Sequence, residues 1–174
     1  MTDATWDQKI DRFYEHEFDE SDPRGSIKKM QVLASERPEG DAAALFEMGG
    51  VHDSLGLEGE AIRLYRDAIA AGLEGERATR VYIQLASTLR NVGASAEAVS
   101  MLESMPAAGA DEAPRQAFLA LALYDEGRYG DALRTALNAL IPTLHGYRRS
   151  LAGYAEDLPR AVKPKESVVK GRLT

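Results

Sequence analysis

The chain has 174 residues, a formal net charge of −7 and no cysteine, and it is 44% apolar but only 7% aromatic. These figures suit one domain of closely packed helices, and they exclude disulfides, thiol nucleophiles and thiolate metal sites. An acidic body also argues against broad binding to a nucleic-acid backbone, which needs clustered Lys and Arg.

No apolar run approaches the ~18 residues of a membrane span. The start, Met-Thr-Asp-Ala-Thr-Trp-Asp, lacks the basic and apolar regions of a signal peptide. A cytoplasmic protein with no membrane or nucleic-acid partner is therefore expected. The charge is uneven. Residues 1–22 carry Asp3, Asp7, Asp11, Glu15, Glu17, Asp19, Glu20 and Asp22 against Lys9 and Arg12, whereas 161–174 carries Lys163, Lys165, Lys170 and Arg172 against Glu166.

In chain order, Trp6, Ile10, Phe13, Tyr14 and Phe18 recur at helical spacing and predict a helix over 5–18. Ser21, Asp22, Pro23 and Gly25 are turn residues. Ile27, Met30, Leu33 and Ala34 mark a second helix that ends by Pro38. Asp41 is a good N-cap for a helix running to about residue 55. A helix over 58–71 ends at Gly72, a natural left-handed C-terminal residue. Helices over 76–92 and 95–104 follow, the latter stopped by Pro106. The longest loop is expected at 106–112. A helix over 113–126 has Pro114 in its first turn, where Pro is tolerated, and its partner spans 129–141. Tyr147, Leu151, Tyr154 and Leu158 form one apolar stripe, read as a C-terminal capping helix over the last hairpin. The basic segment after Pro159 is expected to be weakly ordered unless a partner holds it.

One spacing organises the middle of the chain. Leu45, Met48, Gly49, His52, Gly56, Ala61, Tyr65 and Ala68 stand where a helix–turn–helix repeat of about 34 residues places its large, small and turn residues. Tyr82, Leu85, Ala86, Leu89, Gly93, Ala98 and Leu102 repeat the pattern. So do Leu119, Ala120, Leu123, Gly127, Ala132, Ala136 and Ala139. The turn glycines 56, 93 and 127 are 37 and 34 residues apart. Gly49 and Ala61 are small because helix packing distance is set by the side chains at the crossing. Counting back one period puts Ile10 at the leading large position, Tyr14 at the small one and Pro38 at the end, a degenerate first unit.

The segments 44–56, 84–91 and 147–154 resemble a family of small bacterial tetratricopeptide-repeat proteins, and the resemblance covers roughly residues 7–160. It implies an all-α fold, an α-solenoid of stacked helix–turn–helix hairpins. The expected division is a single domain over 1–160, comprising a degenerate repeat (1–40), three repeats (42–75, 79–112 and 113–146) and a capping helix (147–160), then a basic tail (161–174). The resemblance further implies a role in protein–protein interaction, with a homodimer as one form of it. It supplies no catalytic residues.

In such a stack the first helix of each hairpin lines the concave side. The positions skipped by the packing pattern are Phe46, Gly50, Asp53 and Ser54, then Arg80, Ile83, Ser87, Arg90 and Asn91, then Ala117, Leu121, Tyr124 and Asp125, with Arg148 and Leu151 from the cap. Arg80, Arg90, Asn91 and Arg148 could clamp a peptide carboxylate. Alternatively, Asp53 and Arg90, one repeat apart, pair with each other. The segment 117–124 is apolar all round, so Leu121 and Tyr124 need cover. A second copy, the chain's own N-terminal helix or tail, or a partner segment could supply it.

No phosphate loop, nucleophile elbow or calcium loop is present. His52 stands at a packing position, and His16 and His145 are far from it in the stack, so neither a metal site nor a cofactor is expected. The sequence reads as a non-catalytic interaction scaffold that homodimerises, with a sensor of short peptides as the alternative. An enzyme whose site forms only across a dimer is a third reading, for which no residue pair can be nominated.

Overall fold

The computed structural model describes residues 5–105 and 112–160. The loop expected at 106–112 falls almost wholly outside the described residues, as does the basic tail over 161–174. Nine α-helices and no strand occur among the described residues: α1 Trp6–Arg12, α2 Pro23–Ala34, α3 Ala42–Ser54, α4 Glu58–Ala70, α5 Gly75–Asn91, α6 Ser95–Ser104, α7 Glu112–Asp125, α8 Tyr129–Leu140 and α9 Arg148–Glu156.

The helices pair as antiparallel hairpins, α3 with α4, α5 with α6 and α7 with α8. Each second helix also packs on the next first helix, and α3, α5 and α7 pack in series. The turns repeat one geometry. Gly56, Gly93 and Gly127 all have left-handed φ, at 69°, 79° and 71°. The amide after each glycine reaches back to the fifth residue before it: Leu57 to His52, Ala94 to Leu89 and Arg128 to Leu123, at 2.9, 2.8 and 2.9 Å. Those bonds satisfy carbonyls that the helix end would otherwise leave open.

One core cluster runs through the hairpins and includes Phe46, Ala61, Tyr65, Leu85, Leu89, Leu102 and Leu123. A second joins Ile10, Phe13, Met30 and Val51 and ties α1 and α2 to α3. Each large side chain buried this way stabilises by roughly 1.5–3 kcal/mol. The expected N-terminal helix changes pitch partway. After α1 the backbone widens into a π turn over Phe13–Glu17, with the Phe18 amide bonded to the Phe13 carbonyl at 2.8 Å. A helix of that pitch carries more residues per turn and re-aims its side chains.

The C-terminal cap departs from expectation. α9 packs on α8 and on the 3₁₀ turn Ile141–Thr143, with no comparable packing against α7. Its inward stripe is Leu151, Ala155 and Leu158, whereas Tyr147 and Tyr154 are 84% and 69% exposed. Arg134 of α8 explains the rotation. It donates to the carbonyls of Ala155 and Leu158 at 3.1 and 2.6 Å, and so fixes which side of α9 faces inward.

Candidate functional site

Two surfaces deserve comparison as sites: a polar cleft near the N-terminal end and an apolar groove at the C-terminal end. The cleft forms between α3, α5 and the π turn. It encloses about 150 Å³, and its walls include Tyr14, Asp53, Ser54, Arg80 and Gln84. Two adjacent glycines open this region for different reasons. A Cβ on Gly49 would meet the Tyr65 ring at 2.6 Å, and a Cβ on Gly50 would meet the Tyr14 hydroxyl at 2.7 Å.

Polar groups fix the walls. The Tyr14 hydroxyl donates to the Glu47 carbonyl at 3.4 Å. The buried Glu47 carboxylate accepts from Arg77 Nε at 2.7 Å, and Arg77 also pairs with Asp7 at 2.9 Å. Burial pushes the Glu47 carboxyl up, against the opposing pull of Arg77. Asp53 accepts from Thr88 Oγ1 at 2.9 Å and from the Tyr65 hydroxyl at 3.3 Å. Its carboxyl is also raised, because burial outweighs those two hydrogen bonds. The Gln84 side-chain oxygen is buried and has no hydrogen-bond partner.

The apolar groove lies between α7 and α8. It measures about 600 Å³ and is lined by Ala117, Leu121, Tyr124, Tyr129, Leu133 and Ala136, among others. Leu121, Tyr124, Tyr129 and Leu133 are 47–61% exposed. The reason is positional. Phe46 and Ile83, ten residues before the turn glycines 56 and 93, belong to the core that runs through the hairpins, and their counterpart in the third hairpin, Ala117, lines the groove. Among the described residues the one helix after α8, α9, packs on α8 without comparable packing on α7.

Phe46 and Ile83 are therefore corrected. They were expected on an exposed concave face, but they are 2% and 8% exposed and belong to the core. Their positions turn toward the next hairpin. The Asp53–Arg90 pair is also corrected. Arg90 pairs forward with Asp125 at 2.7 Å, while Asp53 is held by Thr88 and Tyr65. Arg80 is exposed, with its guanidinium 5.9 Å from the Phe46 ring centre. Asn91 is exposed at the end of α5. Arg148 donates to the Leu144 carbonyl beside α9. The four residues expected to clamp a carboxylate thus do not converge: Arg80 lines the cleft, Arg90 is engaged elsewhere, and Asn91 and Arg148 lie outside its walls.

Sequence reasoning missed Tyr14, Glu47 and Gln84 as wall residues. One signal was available for Tyr14, a large side chain at the small position of the degenerate first unit. His52 bonds through Nδ1 to the Met48 carbonyl of its own helix at 2.7 Å. Among the described residues no group of three or more His, Asp or Glu could hold a metal ion, and no helix is long and apolar enough to cross a membrane.

A family model described as Tetratrico peptide repeat matches residues 42–158. That span runs from the start of α3 to just past α9. No curated protein matches the chain.

Proposed function

Since the chain belongs to the tetratricopeptide-repeat family, whose repeats generally mediate protein–protein interaction, we propose that it is a non-catalytic cytoplasmic scaffold that self-associates through the groove between α7 and α8. One observation carries this reading: Leu121, Tyr124, Tyr129 and Leu133 line one groove on α7 and α8 and are 47–61% exposed. The groove lining is aliphatic or tyrosine, without a charged side chain. A two-fold axis would place apolar surface on apolar surface and bring no like charges together.

Sedimentation equilibrium of the full chain tests this, beside the double variant Leu121→Glu, Tyr124→Ser. The expected result is a dimeric parent and a monomeric variant with unchanged helical circular dichroism. A parent that stays monomeric at high concentration rejects self-association.

The second reading is a sensor that takes a short peptide on the side of α3 and α5. The cleft at Asp53 and Gln84 supports it, because its walls are held by hydrogen bonds.

A further inference from the structure

We infer that the segment 161–174 folds back into the groove between α7 and α8 of its own chain, and that a second copy must displace it to associate there. The occupancy stands by itself, while its effect on association rests on the self-association reading. The place where the chain leaves the described fold carries the inference. Arg134 donates to the carbonyls of Leu158 and Pro159 at 2.6 and 3.5 Å. The Pro159 carbonyl lies against Gly130, where no Cβ would fit. The chain is therefore pinned on the face of α8 that carries Gly130 and Arg134. Tyr129 and Leu133, each one position earlier, line the groove. Successive helical residues are about 100° apart, so the pinned face adjoins the groove.

The segment is long enough. Passing around α8 covers about 9 Å on a cylinder ~10 Å across, and the wall from Tyr129 to Ala136 runs about 10 Å. Both distances together take about six extended residues beyond Pro159, at ~3.3 Å each. Val168 and Val169 therefore reach the groove with slack. The chemistry matches as well. The groove holds about 600 Å³ and its lining has no charged side chain, so it suits aliphatic groups and rejects charge. The segment supplies Val162, Val168, Val169 and Leu173, beside Lys163, Lys165, Lys170 and Arg172 against Glu166. Tyr124 and Tyr129, with ring centres 5.0 Å apart, mark the end where the chain arrives. Exposed Glu126 stands between them in sequence and offers those cations a carboxylate at the rim. The tether decides between occupants. A segment attached this close competes at an effective concentration on the order of millimolar, above that of a second copy in dilute solution.

The test uses the absence of cysteine. A nitroxide on Ser167→Cys is read through the methyl resonances of Leu121 and Leu133 in the full chain. The same label goes into a full chain carrying Val168→Asp and Val169→Asp. In dilute solution the first chain should broaden both methyls, and the second should lose most of that broadening. Equal broadening in the two chains overturns the inference, because it then reports tether length alone. A mixture of spin-labelled chain without isotope and isotope-labelled chain without spin label detects contact between copies. Broadening only in that mixture overturns the inference in favour of a second copy's segment. Sedimentation equilibrium of the full chain and of Val168→Asp, Val169→Asp reads the consequence. If each groove is free about a third of the time, a dimer that needs two free grooves is weakened about ninefold. The substituted chain should therefore self-associate more tightly by about that factor. Equally tight association by the two chains overturns the competition. If the methyls broaden as expected but neither chain associates, the occupancy stands and the self-association reading falls.

Discussion

Gly49 faces the ring of Tyr65 so closely that a Cβ on the glycine would stand 2.6 Å from Tyr65 Cδ1 and 2.7 Å from Cε1. Tyr65 is fully buried, and its hydroxyl is tied to Asp53, so the ring has nowhere to retreat. Gly49→Ala gains up to about 1 kcal/mol of helix propensity. Overpacking a rigid core costs roughly 1–3 kcal/mol. The clash decides the sign, and a net loss of about 1–2 kcal/mol is expected in urea unfolding. Gly153→Ala is the matched control. It lies within α9 with nothing within 4 Å of a built Cβ, so the same change should stabilise or leave stability unchanged. A stabilised Gly49→Ala would remove close helix approach as the reason for that glycine.

The small residue at 49 and the glycines at 56, 93 and 127 were legible in the sequence because each answers a local steric demand. Helix bounds were legible for the same reason: caps such as Asp41, which accepts from the Ala44 amide at 3.0 Å, act over three residues. What was not legible depends on how hairpins rotate against each other. Spacing shows that Phe46, Ile83 and Ala117 share a register, but not that the first two belong to the core while the third lines a groove. Arg90 and Asp53 share a register too, yet Arg90 reaches forward to Asp125, 35 residues on. The cleft needed Tyr14 and Gln84, brought together from α5 and the π turn by tertiary packing alone.

Asp53 gives a pH signature. Burial raises its folded-state carboxyl above the ordinary range, so between the unfolded and folded values the native state binds more protons. Stability therefore falls as pH rises through that window, which opens near the ordinary Asp value of about 4. Asn at 53 keeps an acceptor for Thr88 and does not titrate. The stability of Asp53→Asn relative to the parent should rise between about pH 4 and pH 7. Glu47, also raised, is present in both proteins and cancels in the difference. A flat difference across that range would show that Asp53 carries no desolvation cost.

Arg90 and Asp125 connect the second and third hairpins at 2.7 Å, with side chains 19% and 33% exposed. A partly exposed pair of this kind contributes about 0.2–1 kcal/mol. A double-mutant cycle on Arg90→Ala and Asp125→Ala should return a coupling of that size, smaller at high salt. The corresponding cycle on Arg90→Ala and Asp53→Ala should return none. Coupling to Asp53 instead would restore the backward pairing that the spacing suggested.

Arg134 latches the C-terminal helix. Its Nη1 pairs with Asp131 at 2.6 Å, while Nη2 and Nε donate to the carbonyls of Leu158 and Ala155. The side chain is only 15% exposed, so these bonds are shielded from water. Gly130 makes room for the same segment, since a Cβ there would lie 1.9 Å from the Pro159 carbonyl oxygen. Arg134→Met keeps the apolar stem but removes the donors, and Gly130→Ala keeps the donors but displaces the backbone they hold. Both variants should release α9 by different physical routes. Amide exchange over 151–158 should accelerate, with protection in α3 to α6 unchanged. Charge-assisted hydrogen bonds are worth about 1.5–3 kcal/mol each, so the local loss should be large enough to read directly. Unchanged exchange in α9 for both variants would mean that the apolar contacts of Leu151 and Ala155 hold the helix without the latch.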